Sequence, residues 1–244
     1  MFQNYIFDLY GTLIDIITDE ENPELWEKMC IFYGYRGAAY TPKELIKKYK
    51  EFCKKETAAL KAAHPTQKYV DINLTKVFGK LYSHKNVEVS PELCALTANV
   101  FRCCSTKHIR LYDGVEDFLK ELKKKGKKLY LLSNAQHDFT VPEIHMMELE
   151  KYFDDIIISA DVECRKPDPH MYEILFERNN LKKEESIMIG NDYLSDIKSA
   201  FDFGIKSLYI DQAISPPIKG KLKANWAIMD GNFRSIMDIP EIME

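Results

Sequence analysis

The chain has 244 residues, 45% hydrophobic and 30% charged, with a formal net charge of −4. That balance suits a globular chain with one large core, or a core with a smaller insertion, and no stretch approaches the ~18 uninterrupted apolar residues needed to span a bilayer. The six cysteines include no Cys-x-x-Cys pair and no histidine at zinc-finger spacing, which points to thiols kept in a reducing, cytoplasmic compartment.

Taken in order, Tyr5-Ile6-Phe7 is a short apolar run that stops at Asp8 and meets a Gly11-Thr12 turn. It reads as a buried strand, because Asp8 and Asp15 interrupt the apolar stretch and no basic leader or small-residue cleavage site accompanies it. From Pro23 to Ile109 the spacing is helical. Thr41-Pro42-Lys43-Glu44 and Ser90-Pro91-Glu92 supply a capping hydroxyl and a first-turn proline. After Asp113 the pattern alternates: helix over 115–125, strand over 128–132, helix over 143–152, strand over 155–159, helix over 169–178, strand over 186–189, helix over 195–203, strand over 207–210. Trp226–Met229 reads as an edge strand before a last helix. The run Lys123-Lys124-Lys125-Gly126-Lys127-Lys128 reads as a solvated helix end favoured by the helix dipole, in preference to a nucleic-acid patch.

Short apolar strands alternating with amphipathic helices predict an α/β fold, a doubly wound, parallel, Rossmann-like sheet. The helical block interrupts it after the first strand. Residues 1–16 and 108–244 are expected to form the core, and residues 17–107 an all-helical cap domain.

Ligands in open parallel sheets bind beyond the carboxyl ends of the strands. Asp8 follows the first strand and Ser133-Asn134 the second. Arg165-Lys166-Pro167-Asp168 comes soon after the third, and Gly190-Asn191-Asp192 follows the fourth, with Asp196 beyond. A nucleophile, a hydroxyl, an ammonium and a carboxylate cluster would thus meet on one edge. Taken singly each has a plainer reading: Asp8 as a turn residue, Ser133 as a loop or cap, Lys166 as a loop lysine, Asp192 and Asp196 as a helix start.

In their order, Phe7-Asp8-Leu9-Tyr10-Gly11-Thr12-Leu13, Leu132-Ser133-Asn134, Lys166-Pro167-Asp168-Pro169 and Ile189-Gly190-Asn191-Asp192…Asp196 resemble the motifs of the haloacid dehalogenase-like (HAD) hydrolase superfamily, across essentially the whole chain. The resemblance implies a covalent nucleophile at Asp8. It places Thr12, Ser133 and Asn134 around the transferring oxygens and Lys166 as the balancing charge. It further implies a magnesium site made by Asp8, Asp192 and the backbone carbonyl of Tyr10, with Asp196 completing or supporting the set.

HAD phosphatases usually carry a second aspartate, an acid and base, where this chain has Tyr10. A phenol with an ordinary pKa near 10 is a poor base at neutral pH. The Asp-x-Tyr-Gly-Thr form looks like the 2-haloacid dehalogenase branch, whose halide leaves without a proton; Tyr172 and Arg36 could also match that branch, although Tyr172 reads equally well as a packing aromatic. Asp192 points the other way, since that branch replaces the metal-binding acid. The leading expectation is a magnesium-dependent phosphatase acting on a small soluble metabolite, with Tyr10 counted among the catalytic positions and no nucleic-acid or membrane partner. A dehalogenase-type hydrolase and a non-catalytic phospho-ligand binder are the alternatives. Trp26, Tyr33, Tyr35, Arg36, Tyr40, Lys68 and Tyr69 are the candidate cap residues for selecting substrate. The sequence leaves oligomeric state open.

Overall fold

The computed structural model describes residues 1–244. In chain order the strands are β1 (Asn4–Phe7), β2 (Ile14–Thr18), β3 (Thr106–Leu111), β4 (Lys128–Ser133), β5 (Asp155–Ile158), β6 (Ser186–Gly190), β7 (Lys206–Ile210) and β8 (Trp226–Ile228). The α-helices are α1 (Pro23–Gly34), α2 (Pro42–Ala63), α3 (Leu74–His84), α4 (Pro91–Ser105), α5 (Val115–Lys124), α6 (His137–Met146), α7 (His170–Asn179), α8 (Ser199–Phe203) and α9 (Pro240–Met243).

Six strands form one sheet in the order β5-β4-β1-β6-β7-β8, with every pairing parallel. The expected α/β fold is therefore the one observed. Successive side chains of a strand point to opposite faces, and β1 uses both. Tyr5 and Phe7 pack with Leu129, Leu131, Ile187 and Ile189 against Phe118, Leu119 and Leu122 of α5. Ile6 faces the other way, with Tyr130, Leu132 and Met188 against Met171, Tyr172 and Leu175 of α7. Burial on both faces explains why these strands read as unbroken apolar runs. Each such side chain taken from water contributes about 1.5–3 kcal/mol before chain entropy is counted.

Between β1 and β4 along the chain comes a second, two-stranded ladder, separate from the sheet, where the sequence predicts no strand. β2 pairs antiparallel with β3, joining Ile14 to Leu111 and Ile16 to Ile109. On its outer side Asp15 accepts from Arg110 Nε at 3.2 Å and lies 3.0 Å from His108 Nε2. The chain leaves the sheet through β2, builds α1–α4 and returns through β3. Those helices start where their caps predict: Thr41 accepts from Glu44 N–H at 3.3 Å and Ser90 from Leu93 N–H at 3.3 Å, each just before a first-turn proline. They enclose their own core, in which Trp26, Tyr49, Phe78 and Phe101 pack ring to ring, and Phe139 of α6 reaches in from below.

Three local readings change. The helix expected over 143–152 begins earlier, at His137, and a separate 3-10 turn covers Glu150–Tyr152. Pro142 sits inside α6. It cannot donate to the Asp138 carbonyl four residues back, and the Asn99 side-chain amide on α4 donates there instead. The helix expected over 195–203 opens with a π-helical turn, Tyr193–Lys198, ahead of α8. Within the lysine run, Lys127 is buried, its ammonium donating to the carbonyls of Phe2 and Glu244 at 2.7 and 2.9 Å. That lysine ties the two ends of the chain together. No helix is long and apolar enough to cross a membrane.

Candidate active site

β1, β4 and β6 are neighbours with β1 in the middle, so their carboxyl ends bring Asp8, Ser133 and Asn191-Asp192 to one edge. Asp8 is anchored first by its backbone, whose N–H donates to Ile189 O at 3.0 Å. The chain then turns tightly, with Leu13 and Ile14 N–H both returning to Leu9 O. Gly11 is required there: its φ is +79°, and a Cβ would sit 2.3 Å from Asn191 Nδ2. Closing the turn brings Thr12 Oγ1 within 3.2 Å of both Asp8 Oδ2 and Asn191 Oδ1. Thr12 is fully buried, so its hydroxyl orients the Asp8 carboxylate from behind instead of lining open space.

Lys166 comes from the loop after β5 and is placed by Asn134. The Asn134 amide donates to Lys166 O at 2.9 Å and accepts from Lys166 N–H at 2.8 Å. The expected phosphate-binding amide is therefore engaged as a brace for the lysine. Lys166 Nζ donates to Asp8 Oδ1 at 2.9 Å and to Asp196 Oδ1 at 2.7 Å. Burial pulls the lysine pKa down, but Asp196 and Asp8 outweigh it and raise it above the usual lysine range. The side chain is thus held as a cation between two carboxylates. Asp196 is 1% exposed, and its second oxygen accepts from Asp192 N–H at 2.9 Å. It approaches so closely under β6 that a Cβ on Gly190 would meet it at 2.4 Å. Below, the Tyr172 hydroxyl donates to Asp196 O at 3.2 Å and its ring stacks on Phe203 at 5.1 Å; Tyr172 is a packing residue of this site.

Asp192 caps the π-turn, accepting from Leu194 and Ser195 N–H at 2.7 and 3.0 Å through Oδ1. Its other oxygen makes no hydrogen bond within the protein. Asp8, Tyr10, Asn134, Asp192 and Asp196 line a cavity of about 180 Å³. Ser133, at the end of β4 next to Asn134, is 1% exposed, and its hydroxyl has no hydrogen-bond partner. Buried hydroxyls are normally satisfied, whereas the Ser133 hydroxyl is free of protein partners beside the site. The whole donor set is hard oxygen, which suits magnesium. No three His, Cys, Asp or Glu side chains converge on a common point; a cation here would draw on two carboxylates, a backbone carbonyl and water, the mixed shell magnesium commonly keeps.

Tyr10 takes a different course. Its hydroxyl donates to Glu143 Oε2 and lies 3.0 Å from Thr140 Oγ1, both on α6. Arg102 of α4 grips the same glutamate, Nε to Oε1 at 2.6 Å, and lies over the Tyr10 ring at 5.2 Å. Burial first, then the Glu143 charge, raise the phenol above the ordinary tyrosine range. The structure gives Tyr10 no hydrogen bond to Asp8.

A model of the haloacid dehalogenase-like hydrolases matches residues 5–210. The chain belongs to that family. Among relatives of this HAD hydrolase are a phosphoserine phosphatase of Thermus thermophilus, 28% identical over 106 residues, 43% of either chain, and the pyrophosphatase PpaX of Halalkalibacterium halodurans, 32% identical over 108 residues, 44% of this chain and 50% of the relative. The matched part thus spans about half the length of these curated relatives. Among solved structures, a 2-haloacid dehalogenase from Pseudomonas syringae superposes with a TM-score of 0.68 at 15% identity, over 98% of this chain and 97% of its own. A HAD phosphatase from Thermococcus onnurineus gives 0.60 at 16%, over 97% and 96%. At such identities both show the shared fold and nothing finer.

The HAD hydrolase therefore draws Asp8, Thr12, Ser133, Asn134, Lys166, Asp192 and Asp196 together, and directs the Tyr10 hydroxyl elsewhere. Arg36 is exposed over Phe32 and lines neither cavity beside Asp8. None of the aromatic and basic cap candidates does so either: Trp26 and Tyr33 are buried in the helical core and Tyr35 is 83% exposed. The adjoining chamber, about 290 Å³, is lined instead by residues including Thr18, Glu20, Arg102, Gln136 and Phe139, and shares Tyr10 and Asn134 with the first cavity. Asn191, within a quoted motif, was legible as a neighbour; Arg102 and Glu143, 41 positions apart, carried no local signal.

Proposed function

We propose that this HAD hydrolase is a magnesium-dependent phosphatase for small phosphate monoesters, acting through an aspartyl-phosphate on Asp8. The observation that carries the reading is the pairing of Asp8 with a second cavity-lining carboxylate, Asp192, while Lys166 is committed to Asp8 and Asp196. Phosphatase-named relatives support it.

Asp8, Asp192 and the Tyr10 carbonyl would hold the magnesium ion, whose charge offsets the repulsion between two carboxylates and a phosphate. Asp8 Oδ attacks phosphorus, the phosphorus–oxygen ester bond breaks, and water later cleaves the acyl phosphate to return Asp8 and inorganic phosphate. Thr12 and Lys166 fix the direction of the attacking carboxylate. Ser133 donates to a phosphoryl oxygen. Tyr10, with its proton held toward Glu143, is not suited to protonate the leaving oxygen, which favours esters of weakly basic alcohols. We assign residues 17–107 as a cap over a core of 1–16 and 108–244; a lid of this kind favours small soluble substrates over macromolecules.

Departure without a proton also suits carbon–halogen cleavage, so a dehalogenase remains the second reading. It lacks a cationic clamp at Arg36 and leaves Asp192 unexplained. The deciding measurement is hydrolysis of an aryl phosphate by wild type and Asp8→Asn, with magnesium and with chelator. Turnover is expected with magnesium only, and not in Asp8→Asn. Absence of turnover on aryl phosphate, or turnover that persists in Asp8→Asn, would sink the phosphatase assignment. Chelator-resistant release of halide from 2-haloacids would put the dehalogenase in its place.

A further inference from the structure

The chamber next to the catalytic cavity has an unbalanced lining. Only two charged side chains face it, Glu20 and Arg102. Arg102 is already paired through two hydrogen bonds to Glu143, at 2.6 and 3.3 Å. Glu20 forms no ion pair and its carboxylate no hydrogen bond. Its backbone is nonetheless held in place, because the Glu20 carbonyl accepts from Trp26 Nε1 at 2.8 Å, and Trp26 is buried in the helical core. The other polar liners are largely engaged. Gln136 accepts from Leu74 N–H at 2.7 Å and donates to Ile72 O at 2.8 Å, Asn134 braces Lys166, and Thr140 meets Tyr10. Glu20 is an exposed residue, yet the desolvation its carboxyl meets on the chamber side raises it above the ordinary value, with the Arg102 guanidinium opposing. An unpaired carboxylate in such a place favours a cation and disfavours another anion.

We infer that Glu20 is a specificity-determining residue, and that the chamber takes the ammonium group of a phosphorylated amino alcohol. The inference rests on the phosphatase reading, because it places the phosphoryl group at Asp8 and the rest of the ester in the chamber beyond Tyr10 and Asn134. It also fits the chemistry at residue 10. An ammonium group close to the ester withdraws electrons, makes the alcohol less basic, and so lessens the need for the acid that Tyr10 does not supply. A substrate with a carboxylate in that position would meet Glu20 with like charge and an Arg102 already neutralised.

The test uses two phosphomonoesters of similar size and opposite tail charge, O-phosphoethanolamine and 2-phosphoglycolate. Their binding to the full-length Asp8→Asn protein with magnesium is measured by calorimetry, so the result does not depend on turnover. The amino ester is expected to bind about tenfold more tightly, the size of exchanging one partly exposed attraction for a repulsion. Adding Glu20→Gln should bring the ratio close to one, and Glu20→Asp should restore part of it. Equal affinities, a preference for phosphoglycolate, binding of neither ester, or a ratio untouched by Glu20→Gln would each overturn the inference. Wild-type hydrolysis of aryl phosphate, measured in parallel, judges the phosphatase reading separately. If that fails while the binding preference holds, the chamber assignment stands and the chemistry does not.

Discussion

Lys166 stands between Asp8 and Asp196, with a side chain that has no exposed surface. Removing one partner of a buried charge set leaves the others uncompensated, at a cost of about 3–5 kcal/mol. Lys166→Met is therefore expected to lose about that much stability in urea unfolding near neutral pH, together with turnover. The pH dependence has a definite sign. Burial already pushes the Asp196 pKa up while Lys166 pulls it down. Without the ammonium, the main offset to the burial that raises the Asp196 carboxyl above its unfolded value is gone, so its protonation favours the folded state. The stability deficit of the variant should then be largest at neutral pH and shrink as the pH falls through the carboxylate range. A deficit that is small, or constant with pH, would mean that the lysine does not neutralise the pair. At this scale much of the site was legible, because strand ends in a parallel sheet converge and the residues after β1, β4 and β6 are short-range facts. Lys166 was legible only as a candidate; that it is placed by Asn134 depends on hydrogen bonds across 32 positions. The Tyr10 side chain could not be placed at all from sequence, since its partners belong to a helix more than a hundred residues away.

α6 shows how an element can be concealed by its own sequence. A proline six residues into a helix reads as a break, and His137–Val141 before it has no side-chain cap bond from Gln136. The Gln136 side chain is occupied elsewhere, holding Ile72 and Leu74. The carbonyl that Pro142 leaves without its helical donor is taken by Asn99 from α4, so a local defect becomes a bond between the helical block and the sheet domain. Asn99→Ala should cost about 1–3 kcal/mol by stranding that carbonyl. In a Pro142→Ala background the helix can supply its own N–H, and the same Asn99→Ala change should cost clearly less. The coupling from the double-mutant cycle, measured by chemical unfolding, is expected at about 0.5 kcal/mol or more. Strict additivity would show that Asn99 contributes only generic packing. By contrast, α2 and α4 were readable to within a turn because a hydroxyl cap and a first-turn proline act locally. The β2–β3 ladder was hidden for the opposite reason: its pairing joins residues some 90 positions apart, as Asp15 to Arg110 illustrates.

Across the whole molecule, the helical block is fastened to the sheet domain on two sides. On one, the 68–71 segment meets the 159–168 loop: Lys68 N–H donates to Asp168 Oδ2 at 3.1 Å, Arg165 N–H to Tyr69 O at 2.9 Å, and Ser159 to Asp71. On the other, Arg102 reaches across to Glu143 beneath Tyr10. Arg102 is also part of a partition between two cavities. Arg102 and Phe139 line both the chamber beside Asp8 and an outer groove of about 450 Å³ between α4, β3 and α6. If the partition works by filling space, its charge is dispensable and its bulk is not. A buried ion pair can often be exchanged for apolar side chains of similar volume with little loss, whereas truncation leaves a hole. The double variant Arg102→Met/Glu143→Met should therefore stay close to wild type in stability and keep the preference for small esters. Arg102→Ala/Glu143→Ala should join groove to chamber, destabilise the protein by a few kcal/mol, and raise the kcat/KM of a bulky aryl phosphate relative to a two-carbon ester. Hydrogen exchange should accelerate in α4 and α6 of the Ala pair and remain slow in β1, β4 and β6. If the Met pair loosens substrate choice as much as the Ala pair, charge and not volume closes the chamber; the Arg102–Glu143–Tyr10 contact would then be an electrostatic latch, and added salt should weaken the wild-type preference in the same direction.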